Sequence, residues 1–138
     1  MRLGAAEARR RFEAARSARL ATVSADGRPH LVPVTFAAAG DVIYTAVDAK
    51  PKSTRDLRRL ANIRANPAVC LLADNYADDW QALWWARADG TAAVLDKPAE
   101  LAAPVGLLAD RYPQYAADPP AGPVIAILVT RWTGWSAT

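Results

Sequence analysis

The spacing of hydrophobic and polar residues changes several times along the chain, and each change marks an element. Residues 4–16 put Ala6, Phe12 and Ala15 on one narrow apolar stripe, the pattern of a helix lying on a surface. In RLATVSADGRPHLVPVTFA, two strand-like runs flank Asp26-Gly27, a strong hairpin signal. Pro29 and Pro33 each remove a ladder donor, so the second strand should carry an irregularity or lie partly on an edge. DVIYTAV, residues 41–47, is a third strand introduced by the Gly40-Asp41 turn. A helix follows from about Ser53 to Ala65, with Leu57, Leu60 and Ala61 on one face and Arg55, Arg58 and Arg59 pointing elsewhere. Arg64 falls back toward the apolar side, where its stem would snorkel. Asn66-Pro67 ends that helix, and AVCLLAD is a fourth strand, apolar enough to be buried on both faces.

WQALWWARADGTAAVLD alternates loosely, with Asp89-Gly90 marking a bulge or turn. PAELAAPVGLLADRY predicts a second substantial helix, broken or restarted near Pro104. PQYAADPPAGP is a proline-rich loop, and VIAILVTRWTGWSAT a final strand with a tryptophan-bearing end. Strands dominate and helices are few. The order fits a mainly β fold, an antiparallel barrel with peripheral helices, better than alternating βαβ units. Residues 1–138 read as one domain, with helical segments at 1–16, 53–65 and 99–111.

Composition narrows the chemistry. Hydrophobic residues are 52% and charged residues 22% of the chain, a globular balance. The lone Cys70 excludes an internal disulfide framework and a multi-thiolate zinc site, and the lone His30 excludes multi-histidine metal clusters. No metal site is expected. The arginine-rich start could pass for a transit peptide, but Glu7 and Glu13 interrupt it and no cleavage-type spacer follows. No apolar run approaches the ~20 residues of a membrane helix. The expectation is a cytoplasmic protein without a membrane partner. A net charge of +3 attracts anions without demanding nucleic acid, and no basic stripe supports a nucleic-acid partner. Five tryptophans and four tyrosines are many for this length and suit interfaces or flat ligands.

No glycine-rich phosphate cradle and no nucleophile motif is present. Cys70 reads as a small buried residue, His30 as a structural histidine and Asp78-Asp79 as a solvated loop. No catalytic residue is assigned, and any enzymatic chemistry would belong to a cofactor. The stretch AKPKSTRDLRRLANIRANP is the candidate for holding one. Ser53 or Thr54 can cap the helix, leaving N–H groups facing outward, while Lys50, Lys52 and Arg55 gather at the same end. A phosphate site and an ordinary basic surface helix both fit this local sequence.

The succession LATVSADGRPHLVPVTF, VIYTAVDAKPKSTRDLRRLANIRANPAVCLL and DDWQALWWARADGTAAV, within residues 16–137, resembles a known superfamily. It is the pyridoxamine 5'-phosphate oxidase-like (PPOX class) FMN-binding split β-barrel superfamily. More narrowly the chain is similar to its deazaflavin branch, the coenzyme F420-dependent oxidoreductases. The most specific pieces are Lys52, Arg55, Leu57, Asn66 and Pro67, then Trp80, Trp84, Trp85, Arg87 and Gly90, then RYPQY before the proline loop. The resemblance implies a homodimer of split barrels with cofactor sites at the subunit interface. It implies that Lys50, Lys52, Ser53, Thr54 and Arg55 bind the cofactor phosphate, that Pro33, Val34 and Thr35 lie along its flat ring, and that Ala46 and Val47 line the inner wall. Trp84 and Trp132 would come from the partner chain or close the substrate cavity, with a core role as the alternative.

The activity implied is hydride transfer between reduced deazaflavin and a small unsaturated or heteroaromatic acceptor, with Tyr44 or Tyr76 as a possible proton source. Surface arginines such as Arg58 and Arg59 would serve the acidic tail of the deazaflavin, or solubility alone. The alternatives are an FMN-dependent oxidoreductase on the same barrel and a non-catalytic binder of a flavin, deazaflavin or tetrapyrrole. The C-terminal TRWTGWSAT has Arg131 but no histidine, which argues against vitamin B6 oxidation.

Overall fold

Tight turns and alternating strands gather the chain around one seven-stranded antiparallel sheet, in the order β2-β1-β5-β6-β7-β4-β3. The structure, a computed structural model, describes residues 1–47 and 54–138; the side chains of residues 54–57 lie outside that description. β1 (Ala18–Val23) and β2 (Pro29–Val34) form the expected hairpin. Gly27 has a φ of +86°, a left-handed conformation that any Cβ would strain. Ser24 fixes the turn, its N–H donating to the Arg28 carbonyl at 2.9 Å and its Oγ accepting from the Arg28 N–H at 2.9 Å.

β2 is an edge strand, which is how two prolines are tolerated. The Ser24–Arg28 bond sets the parity of the ladder: even-numbered residues of β2 hold the bonded positions. Pro29 and Pro33 therefore turn their missing donors away from β1.

β3 (Ala37–Ala39) and β4 (Val42–Ala46) form a second hairpin around Gly40, so the third expected strand gains a short partner that its sequence did not announce. β5 (Ala68–Asn75), β6 (Trp84–Leu95) and β7 (Val124–Ser136) make the long centre of the sheet. β5 buries Val69, Leu71 and Ala73, whereas Cys70 is half-buried. The expectation of burial on both faces is thus corrected: only one face of β5 is fully covered. Burial still raises the Cys70 thiol pKa above its ordinary value, helped by the nearby Asp89 carboxylate.

The Asp89-Gly90 signal is a bulge within β6–β7. Up to Asp89↔Arg131 the pairs run in one register; from Gly90↔Val129 they are shifted by one residue, and Thr130 is the extra one. The inward positions of β7 change parity there, from Ile125, Ile127 and Val129 to Trp132, Gly134 and Ser136. Gly90 has no alternative, because a Cβ would strike the Leu128 carbonyl.

α1 (Ala5–Ala14) lies on β6 and β7 and buries Ala8 and Phe12, one turn apart; Ala6 is exposed, correcting the expected stripe. The Phe12 ring decides that rotation, sitting 4.9 Å from Phe36 and 5.4 Å from Trp132 between centroids. α2 (Thr54–Ala65) buries Leu60 and Ile63, with Asn62 Nδ2 donating to Thr22 Oγ1 at 3.1 Å. This bond and Ile63 set the inner face, so Ala61 and Arg64 are exposed rather than facing the core. α3 (Pro98–Arg111) runs through Pro104, which is buried, and α4 (Pro113–Ala117) replaces the first part of the expected loop. These two cover a second apolar cluster around Ala37, Ala46, Leu108 and Val124. Among the described residues no helix is long and apolar enough to cross a membrane.

Candidate functional site

Where β2 ends and β4 ends, the sheet leaves a cleft of about 290 Å³ lined by Ser17, Pro33, Val34, Thr35, Thr45, Ala46, Arg59 and Tyr115. Four of the eight, Pro33, Val34, Thr35 and Ala46, are residues for which the sequence suggested a ring wall. Val47 is absent from the lining and packs into the main core.

Three polar side chains give the cleft its chemistry. Arg59 reaches it from α2 with only 9% exposure. The expectation that Arg58 and Arg59 are both surface arginines is corrected for the second: Arg58 is exposed, but Arg59 shares the buried side of α2 with Asn62 and Ile63, three and four residues on. Arg59 thus brings a guanidinium, a planar donor suited to phosphate or carboxylate, into the lining of the cleft. Thr45 contributes a hydroxyl that is buried and has no hydrogen-bond partner among the described residues. Tyr115 closes one side, its OH 3.1 Å from Thr35 Oγ1. α4 is held there by Tyr112, whose hydroxyl accepts from the Phe36 N–H at 3.1 Å and donates toward the Phe36 carbonyl at 2.8 Å.

His30 stands nearby on β2 but does not line the cleft. Burial, then the positive charges of Arg58 and Arg59, lower its pKa below the ordinary 6.5. The imidazole is neutral at pH 7, and its buried Nδ1 has no partner among the described residues.

The remaining expected site residues are not among the described lining of the cleft. Lys50, Lys52 and Ser53 fall outside the described residues; Thr54 and Arg55 belong to the first turn of α2, and their side chains fall outside as well. Trp84 and Trp132 pack against the main core beneath α1, with the Arg11 guanidinium 5.9 Å from the Trp84 ring and that of Arg9 6.0 Å from Trp132. Tyr44 packs in the second apolar cluster and Tyr76 is largely exposed; neither lines the cleft. Ser17, Thr45, Arg59 and Tyr115 are the cleft residues whose placement the sequence reading missed. For Arg59 the available signal was its helical spacing from Ile63, and for Tyr115 its place in RYPQY.

A guanidinium beside a buried hydroxyl that has no partner among the described residues suits an anionic ligand. Comparison with solved structures agrees on the fold. Rv2991 of Mycobacterium tuberculosis superposes with a TM-score of 0.77 at 23% identity, covering 98% of this chain and 86% of that one. A FAD-binding protein of Mesorhizobium loti gives 0.74 at 21% identity, covering 97% and 95%. HutZ, a heme storage protein of Vibrio cholerae, gives 0.72 at 16% identity, covering 97% and 95%. No curated protein matches the sequence. Residues 5–136, nearly the whole chain, match the family described as pyridoxamine 5'-phosphate oxidase. With that match and the split-barrel fold, the chain belongs to the pyridoxamine 5'-phosphate oxidase family.

Proposed function

We propose that this protein is an oxidoreductase that holds a phosphate-bearing, planar redox cofactor of the flavin type and exchanges a hydride with a small unsaturated or heteroaromatic acceptor. Coenzyme F420 is the favoured cofactor, on the branch-like run from Lys52 to Pro67. The observation that carries the reading is the meeting of Pro33, Val34, Thr35 and Ala46 with Arg59 in one cleft. The cleft's residues fit such a group: the Arg59 guanidinium matches its phosphate or acidic tail, and Thr45, whose hydroxyl has no partner among the described residues, stands in the same lining. When bound, the cofactor supplies the hydride chemistry. The chain's own part is to orient the ring along Pro33–Thr35, exclude water with α4, and hold a proton at Tyr115 OH beside Thr35 Oγ1. In this reading Tyr115 replaces Tyr44 and Tyr76 as the proton-bearing group. Lys50, Lys52, Ser53, Thr54 and Arg55 complete the phosphate contacts. A cleft of about 290 Å³ is small for a tricyclic ring and an acceptor together, which favours a homodimer whose second copy completes it.

FMN in place of F420 is the second reading, favoured by the similarity to a FAD-binding protein. A titration of the purified chain with F420 and, separately, with FMN, followed by fluorescence, tests both. Saturable binding of F420, tighter than that of FMN, is expected, and Arg59→Gln should weaken it about tenfold or more while the far-ultraviolet dichroism stays unchanged. Lack of saturable binding of either cofactor to the parent protein would overturn the reading, and an unaffected Arg59→Gln variant would overturn the cleft assignment.

A further inference from the structure

Two connecting segments border the cleft from outside the strand ladders. Arg16 belongs to the link between α1 and β1, and Phe36 to the link between β2 and β3. Their neighbours in sequence, Ser17 and Thr35, are lining residues. One side chain far along the chain holds both links. The Tyr112 hydroxyl accepts from the Phe36 N–H at 3.1 Å, and its single proton lies between the carbonyls of Phe36, at 2.8 Å, and Arg16, at 3.0 Å. Tyr112 also starts α4. The Tyr115 N–H donates to the Tyr112 carbonyl at 3.0 Å, and the two rings meet edge to face with centroids 5.8 Å apart. The circuit closes where Tyr115 OH stands 3.1 Å from Thr35 Oγ1.

We propose that Tyr112 is a positioning residue of the cleft, its hydroxyl setting where Ser17, Thr35 and Tyr115 stand against a bound ligand. Tyr112 is not among the lining residues, so it acts through those three rather than by touching the ligand. The ring that carries the hydroxyl is itself held. The Arg16 guanidinium lies 4.9 Å from its centroid and the Arg111 guanidinium 5.5 Å. The same arginines tie the segments together, Arg16 donating to the Arg111 carbonyl at 2.9 Å and Arg111 donating to the Ala15 carbonyl. RYPQY supplies this arrangement locally: Arg111 ends α3, Pro113 opens α4, and Tyr115 follows Tyr112 by three residues. Phe36 is fully buried, so removing the hydroxyl leaves its N–H without that acceptor and the Thr35 wall free to shift.

This inference rests on the reading of the cleft as a cofactor site, and two measurements separate the one from the other. In the ligand-free full chain, Tyr112→Phe, which keeps the ring, should speed amide hydrogen exchange about tenfold at Phe36 and at Tyr115 while the amides of β5 and β6 stay as in the parent. In titrations with F420 and with FMN, Tyr112→Phe and Tyr115→Phe should each weaken binding about tenfold. The double variant should bind no more than about threefold worse than Tyr115→Phe alone, because the two act on one contact. Arg16→Met, which takes a guanidinium from the ring and leaves the hydroxyl, should move both readouts the same way by about threefold, and it carries the test where Tyr112→Phe does not fold. Unchanged exchange at Tyr115, parental affinity in Tyr112→Phe, or losses that multiply in the double variant would each overturn the proposal. A parent that binds neither cofactor would sink the cofactor reading instead, and exchange at Tyr115 alone would then decide whether Tyr112 positions it.

Discussion

Trp84 and Trp132 lie on one face of β6 and β7, Trp85 and Trp135 on the other, and the two pairs have opposite fates. The first pair is roofed by α1, with Phe12 set edge-on against Trp132 and arginines of the helix over the rings. The second pair has no helix above it among the described residues and is bordered by guanidiniums instead. Residue type is the same and the strands are the same. What separates an aromatic core from an aromatic surface here is parity alone, together with the one element that covers a single side.

The largest test of that contrast removes the roof. Phe12→Ala should cost about 3–5 kcal/mol, because its fully buried ring touches both Phe36 and Trp132. Trp135→Ala, on the open side, should cost clearly less in chemical denaturation; equal losses would break the comparison. Gly90→Ala comes next. The added methyl meets the Leu128 carbonyl rather than a pliable side chain, so about 1–3 kcal/mol should be lost. Strain at the bulge should also loosen the register that turns Trp132 inward, seen as a change in tryptophan emission.

The smallest effect concerns His30. Its folded pKa lies below the ordinary 6.5, so between those two values the unfolded chain binds more protons than the native one. The contribution is fully present above pH 6.5, is lost as pH falls toward the folded pKa, and changes no further below it. His30→Gln should flatten that part of the stability–pH curve, and an unchanged curve would mean the imidazole is no more shielded than an exposed one.

The bulge also explains what the sequence could and could not reveal. Hairpin chemistry at Asp26-Gly27, the edge position of a strand holding Pro29 and Pro33, and the irregularity at Asp89-Gly90 are local signals, and each was legible. The direction of the tryptophans was not. Continuing the alternation of VIAILV through β7 would place Trp135 inside with Ile125 and Ile127, and Trp132 outside. The extra residue at Thr130 reverses that, and its position depends on how a distant strand pairs. In the cleft, the resemblance named Pro33 to Thr35, which stand in its lining, whereas Arg59 was expected on the surface. A helix dense in arginine has more than one way to orient its faces, and the choice was made by the Asn62–Thr22 contact across 40 residues of chain.

The prolines of β2 carry one more consequence. A free sheet edge invites a strand from another molecule to add to it, and exposed Leu31 would make that edge sticky. Along the open side of β2, positions 29, 31 and 33 should present the outward donors, yet two of the three are prolines. An incoming strand would find only the Leu31 N–H to accept from, so Pro33, which borders the cleft, also joins Pro29 in guarding the sheet edge against aggregation.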